Sequence, residues 1–235
     1  MKRYVIGDIH GRYKALIEVL QKANFDYEND QLIVLGDIVD GGKQTYEVIE
    51  ELLKINNLVY VLGNHDEWFI KHISGKWLNE IWIQQGGANT LRSYGANVTE
   101  GRIISEESII DTSNIMIPIT HQEFFNNGKY YYEYNNMLFV HGGLNPAIPK
   151  IESQSNKDLL WDRSIIYYAQ KKKILNYDKI FIGHTSTQFQ NNIMYPLKFN
   201  NLIMMDCGAG WNGKLAIMNI DTEEYYLSKQ QIALK

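Results

Sequence analysis

The sequence predicts an α/β fold built on parallel strands. Three observations predict it. Short apolar runs recur along the chain, and five of them end in a cluster of Gly with Asp, His or Asn. Helical apolar spacing fills the segments between the first of these runs. Composition is ordinary for a globular protein, 45% hydrophobic and 21% charged over 235 residues, which is enough for one large domain with a substantial core.

Each element follows from local pattern. Tyr4-Val5-Ile6 is the first strand-like run, and it ends in Gly7-Asp8-Ile9-His10-Gly11. Residues 13–20 then put Leu16, Val19 and Leu20 on one helical face. Residues 24–30 form a polar connection to the second run, Leu32-Ile33-Val34-Leu35, which leads into Gly36-Asp37-Ile38-Val39-Asp40. A second helix is expected over residues 45–53, with Val48, Ile49, Leu52 and Leu53 on its buried side. The third run, Val59-Tyr60-Val61-Leu62, enters Gly63-Asn64-His65-Asp66. Strand–helix–strand–helix–strand in this order implies parallel strands with right-handed crossovers.

Over residues 67–128 the period changes. Trp68, Trp77, Trp82 and Leu91 fall in helix-like segments that Gly86-Gly87 breaks, the pattern of a small helical cap inserted over the sheet edge. From Tyr130 to Val140 the chain reads as a hairpin about Asn135-Asn136, because Asn tolerates the positive φ of a tight turn. That hairpin ends in the run Met137-Leu138-Phe139-Val140 and delivers His141-Gly142-Gly143. Another run, Ile180-Phe181-Ile182, delivers Gly183-His184-Thr185. Strand patterns close the sequence at Leu202-Ile203-Met204-Met205, Leu215-Ala216-Ile217-Met218 and Tyr225-Tyr226-Leu227. No repeat, low-complexity tract or linker interrupts it, so residues 1–235 read as a single domain.

Charge and cysteine content narrow the function. A net charge of −4 argues against a nucleic-acid binder with a broad basic face. The single cysteine, Cys207, forbids an intrachain disulfide and fits a reducing compartment. The apolar run after Lys2-Arg3 is too short for a secretory signal, and no segment is long enough to span a membrane. The expectation is a cytoplasmic protein with no membrane partner. The sequence does not fix its oligomeric state.

The five clusters carry the chemistry. Asp, His and Asn are oxygen and nitrogen ligands for divalent metals, and strand ends in an open α/β sheet are where ligands bind. Asp8 and His10, two apart on an extended segment, would face one ion together. Asp37 offers two oxygens to span two ions. Asn64 supplies a neutral oxygen, and His141 and His184 supply imidazole nitrogens. Such a set suits two divalent ions about 3.5–4 Å apart, which lower the pKa of water and clamp a phosphate. His65, beside Asn64, is placed to protonate a leaving alkoxide, and Asp40 to hold its ring. Any one cluster alone is an ordinary turn. Five of them after five apolar runs are not. His72 and His121 lie outside the clusters and are expected to be structural.

The set resembles the calcineurin-like metallophosphoesterases, and within them the phosphoprotein phosphatase branch with its GDxHG, GDxVDRG, GNHE/D, HGG and GHT-like motifs. Similarity to the small bacterial and phage phosphatases extends to Leu160-Trp161-Asp162-Arg163 and to residues 206–211. The resemblance implies a four-layer α/β/β/α sandwich. It implies that Asp8, His10 and Asp37 hold one metal, that Asp37, Asn64, His141 and His184 hold the other, and that His65 with Asp40 is the general acid. Mn²⁺ is the usual ion of such enzymes, with Fe or Zn as alternatives.

One departure stands out. The family pattern has Arg after the second Asp of GDxVDRG, where this chain reads Asp40-Gly41-Gly42. A bidentate guanidinium grip on phosphate is therefore missing there. Arg163 matches a second phosphate-binding position, and Arg12 is the other candidate. Cys207 stands where related sequences often carry Thr and is assigned no role. The resulting expectation is a dinuclear-metal phosphomonoesterase of the serine/threonine protein phosphatase type, acting on a phosphorylated protein or small phosphoester. The alternative is a symmetrical dinucleoside tetraphosphatase, or another nucleotide or phosphodiester hydrolase, on the same core.

Overall fold

A computed structural model describes residues 1–75, 79–99, 101, 108–111, 113 and 115–231. Trp77 lies outside them. The chain opens with β1 (Arg3–Ile6), α1 (Tyr13–Lys22), β2 (Gln31–Val34), α2 (Thr45–Leu52) and β3 (Asn57–Tyr60), and the three strands pair in parallel. Leu16, Val19, Leu20, Val48, Ile49 and Leu52 are buried, as their spacing requires. Leu53 is not: α2 ends at Leu52, so Leu53 leaves the buried stripe and is 43% exposed.

Among its described residues the 67–128 segment is mostly helical. α3 (Asn64–Ile73) starts in the third cluster and carries Trp68. α4 (Glu80–Trp82) runs through a π-helical turn, Ile83–Gly87, into α5 (Ala88–Ser93). The expected break is Gly86, at φ +110°. A Cβ there would lie 2.2 Å from the Gly41 nitrogen, so the absent side chain lets this turn sit against the second cluster. A small ladder of β4 (Asn97–Thr99) and β5 (Ile109–Asp111) was not legible in the helical pattern. α6 (Ile119–Asn126) leads to the hairpin of β6 (Tyr131–Tyr134) and β7 (Met137–Val140). Asn135 and Asn136 both take positive φ, 45° and 58°.

After β7 come α7 (Asn156–Trp161), α8 (Ser164–Ala169), β8 (Lys179–Ile182), β9 (Leu197–Phe199), β10 (Leu202–Met204), β11 (Ala216–Asn219) and β12 (Tyr225–Leu227). Two five-stranded sheets result, in the orders β12-β11-β1-β2-β3 and β6-β7-β8-β10-β9. β11 returns to pair antiparallel with β1, so β1 sits in mid-sheet.

Side-chain alternation produces the layers. Val5, Ile33, Phe139, Phe181 and Ile203 point into the space between the sheets. Phe139 and Phe181 stack there with centroids 4.9 Å apart, each ring contributing roughly 1.5–3 kcal/mol through burial. Their neighbours face outward. Tyr4, Ile6, Leu32 and Val34 pack with the apolar faces of α1 and α2. Leu138, Val140, Ile180 and Ile182 pack with those of α7 and α8. The result is the expected α/β/β/α sandwich. Parallel strands put the carboxyl ends of β1, β2 and β3 on one side of their sheet, and those of β7 and β8 on one side of the other. The loops leaving these ends meet in a shared crevice.

Candidate metal centre

Backbone strain marks the crevice. His10, Asp37, Asp40 and His184 adopt φ of 48°, 47°, 70° and 59°, a region that costs a non-glycine residue of order 1–3 kcal/mol and clusters at functional sites. Asp8 and His10 therefore do not meet along an extended segment, as the two-residue spacing suggested. They meet across a tight turn.

Six side chains offer donors. One oxygen or nitrogen from each of Asp8, His10 and Asp37 lies within 4.8 Å of the others, and the same holds for Asp37, His141 and His184. Asp37 is common to both groups. Its Oδ2 faces His10 Nε2 at 3.7 Å and its Oδ1 faces His141 Nε2 at 3.4 Å. Asn64 Oδ1 lies 3.0 Å from His141 Nε2.

The hydrogen bonds orient these donors as a metal site would need. His141 Nδ1 donates to the Leu35 carbonyl at 2.7 Å, and His10 Nδ1 to the Val39 carbonyl at 3.0 Å. Such bonds leave Nε2 of the neutral ring as a bare lone pair, the usual orientation of a metal-bound histidine. His141 Nε2 then points at two other acceptors, Asn64 Oδ1 and Asp37 Oδ1. His184 Nε2 is buried with no hydrogen-bond partner. A cation among them satisfies all of these atoms at once, so the residues present fit a divalent metal pair.

Electrostatics point the same way. Burial, then the charges of Asp206 and Asp37, raise the Asp8 carboxyl well above its ordinary range. Asp37 is pulled well below its range because the surrounding histidines, His141 first, outweigh its burial. Burial lowers His10 to about 4 and, helped by His141, lowers His184 to about 3. Both rings are neutral at pH 7 and ready to ligate.

His65 sits at the start of α3, with its backbone N–H on Asp37 Oδ1 at 2.9 Å. Its Nδ1 lies 2.6 Å from Asp40 Oδ2. Burial opposes its charge, but Asp37 and Asp40 raise it to about 9. Asp40 is fully buried, accepts from two further donors and donates once itself. Trp82 Nε1 approaches its Oδ2 at 3.0 Å, the Thr90 hydroxyl donates to Oδ1 at 2.8 Å, and its own N–H donates to Thr90 Oγ1 at 2.8 Å. The insertion thus grips the partner of His65. The sequence pattern does not mark this role of Trp82, since an indole's donor has no periodic signal.

Two buried carboxylates were also missed. Asp66, inside the third cluster, accepts from the backbone nitrogens of Ile38 at 2.9 Å and Gly63 at 2.9 Å, tying the second cluster to the third. Asp206 lines the crevice, and burial raises it to about 6. His121 is buried between Tyr94 and Glu50, with bonds of 2.8 Å to each, and so lies away from the crevice. Burial pushes the Cys207 thiol up, which keeps it inert.

The donors open into a cavity of about 450 Å³. Arg163 and Arg12 both line it. Arg163 is close enough to depress the pKa of His184 and Asp206. Arg12 is buried and donates Nε to the Ala209 carbonyl at 3.1 Å and Nη2 to that of Gly210 at 3.3 Å. Lys43 and Arg92 add two more basic side chains to the lining. Gly41 lies at φ +74°, with the Gly210 carbonyl 3.2 Å from where a Cβ would stand. A side chain here would be strained, and no guanidinium stands at this position.

The model of the calcineurin-like phosphoesterase family matches residues 1–201. The chain belongs to this family. As a calcineurin-like phosphoesterase it is a metal-dependent phosphoester hydrolase, and its two donor groups suit the dinuclear centre that the family uses. It is 23% identical to a symmetrical bis(5'-nucleosyl)-tetraphosphatase of Neisseria meningitidis, over 95% of this chain and 94% of that one. Among solved structures, a candidate diadenosine tetraphosphatase superposes with a TM-score of 0.70 at 16% identity, covering 96% of this phosphoesterase and 92% of that chain. A cold-active protein-tyrosine phosphatase of a psychrophilic Shewanella follows the same fold, with a TM-score of 0.60 at 16% identity over 97% and 80% of the two chains. Among the described residues no helix is long and apolar enough to cross a membrane.

Proposed function

We propose that this phosphoesterase splits dinucleoside tetraphosphates symmetrically. The sequence put a serine/threonine phosphatase first and this reaction second, and the order reverses here. The cavity carries the reversal. One continuous space joins both donor groups to Arg12, Lys43, Arg92 and Arg163, and only glycine stands where the family places an arginine. A phosphorus inside a polyphosphate chain bears a substituent on each side, and its neighbours bring extra negative charge. A spread of cations across one continuous space suits that substrate better than a single terminal phosphate. Likeness to the Neisseria enzyme over nearly the whole chain supports the same reading.

Asp8, His10 and Asp37 would hold one metal, and Asp37, Asn64, His141 and His184 the other. When bound, the pair supplies Lewis acidity toward phosphate oxygens and lowers the pKa of water. The reaction joins a water oxygen to an inner phosphorus and breaks that phosphorus's bond to the central bridging oxygen. The second nucleoside diphosphate leaves on that oxygen with the bonding electron pair. Arg163 and Arg12 bind the phosphate oxygens. His65 holds a proton at Nε2 for the leaving oxygen, and Asp40 accepts from Nδ1 to keep the ring aimed.

The deciding experiment assays Mn²⁺-reconstituted protein on diadenosine tetraphosphate, a phosphoserine peptide and an aryl phosphate, with chromatography of the nucleotide products. ADP as sole nucleotide product, with kcat/KM above that for the peptide, is expected. ATP with AMP, or a peptide preference of tenfold or more, would replace the proposal with an asymmetrical hydrolase or a protein phosphatase.

A further inference from the structure

Two aromatic rings stand open at the cavity without a part in the chemistry above. Phe189 is 78% exposed and Trp211 is 62% exposed. Exposed apolar side chains scattered over a surface are ordinary. These two are different in place: among the described large apolar residues that are exposed, only they line the cavity that holds the metal donors.

Their loops are fixed. Trp211 closes a turn through its N–H to the Gly208 carbonyl at 3.0 Å, and Gly213 N–H bonds the same oxygen at 2.8 Å. Arg12 ties the Ala209 and Gly210 carbonyls of that turn to the first cluster. Phe189 ends a single 3₁₀ turn, Thr187–Phe189, whose N-cap is Ser186. Thr187 N–H bonds the Asp206 carbonyl at 2.8 Å, just ahead of the Trp211 turn. A Cβ on Gly208 would lie 2.0 Å from Gln188 Oε1, so the two loops pack directly on each other. Rings on anchored loops lose little freedom when a flat ligand covers them, which favours binding.

We infer that Trp211 and Phe189 form a stacking platform for the nucleobase of a nucleotide whose phosphates lie on the metal centre. This deepens the nucleotide reading above and rests on it. The polar and charged side chains of the cavity would hold phosphate, and its one open aromatic edge would hold a flat ring. Stacking is tolerant of base identity, because every base has a π-face. The platform therefore detects that a base is present and favours the larger purines.

Calorimetry on the Mn²⁺-loaded protein tests this without turnover. ADP and inorganic pyrophosphate are titrated into wild type, Trp211→Ala, Phe189→Ala and Trp211→Phe. Trp211→Ala should weaken ADP about tenfold, the scale of losing one base–aromatic stack. Pyrophosphate, which has no base, should keep its affinity within about twofold, and Trp211→Phe should recover most of the ADP affinity. Phe189→Ala should repeat the pattern on the adjacent loop and covers the case in which Trp211→Ala fails to fold. ADP affinity unchanged in both alanine variants, or equal losses for ADP and pyrophosphate, would overturn the platform. Failure of wild type to cleave diadenosine tetraphosphate while ADP still depends on Trp211 would instead count against the hydrolase reading alone.

Discussion

At the scale of single residues, Asp37 carries the most. It belongs to both donor groups, and each oxygen faces a different histidine. Asp37→Asn replaces one of those oxygens with an amide and should reduce bound metal below two per chain, read by elemental analysis, with turnover nearly lost. His65 makes a graded prediction. A serine alkoxide leaves badly without a proton, whereas a nucleoside diphosphate leaves well. His65→Asn should therefore cost about 10²–10⁴ on a phosphoserine peptide and clearly less on the tetraphosphate. Activity on the peptide should also fall as pH rises past the His65 pKa, at or below about 9, because bound cations add positive charge beside it. That limb should be absent in His65→Asn. Arg163→Ala should lower kcat/KM by roughly 10²–10³, the scale of losing one preorganised donor, since Gly41 offers no substitute. Restoring the family arginine as Gly41→Arg would force a bulky residue to φ +74°, so destabilisation is expected before any change in specificity. All six candidate donors could be named from the sequence because the chemistry calls for particular residue types at strand ends. Asp206 was given no role, although its stretch, residues 206–211, carried part of the family resemblance.

Elements explain what a list of ligands leaves out. α4 and α5 supply Trp82 and Thr90, whose donors converge on buried Asp40. Trp82→Phe keeps an aromatic ring and deletes that N–H, leaving a buried carboxylate short of a partner. The expected cost is about 1–3 kcal/mol of stability, measurable by urea unfolding. Peptide turnover should weaken in the same direction as in His65→Asn, while bound metal stays unchanged. A stability loss with an intact substrate ratio would limit Trp82 to packing. Sequence periodicity located α1, α2 and the β6–β7 hairpin well, because one-sided burial leaves a 3.6- or 2-residue pattern. It overran α2 by one residue and missed α7, α8, β4, β5 and β9. These elements are short, and the missed strands lack the continuous apolar run that marks the equally short β10 and β12.

For the whole molecule, the centre is a joint between two sheets. Asp8, Asp37 and Asn64 follow β1, β2 and β3, whereas His141 and His184 follow β7 and β8. A metal pair would link the halves as well as serve catalysis. Chelation should lower the melting temperature, and Mn²⁺ at about a hundred times its Kd should restore about 2.7 kcal/mol. For a chain of this size that is roughly 5–10 °C in a thermal scan. The four-layer architecture itself was legible only through family resemblance. Alternating apolar strands announce sheets, but they do not reveal that β11 comes back to β1.

That return has a consequence for synthesis on the ribosome. β1 leaves the ribosome long before its antiparallel partner, because Tyr4 lies opposite Asn219. Until β11 appears, one side of an apolar strand has no ladder to join, for a period on the order of tens of seconds at ordinary translation rates. An open apolar edge invites pairing with other chains. Nascent chains arrested before Leu215 should therefore be sticky and protease-sensitive, and maturation of the catalytic crevice should wait until β11 has emerged.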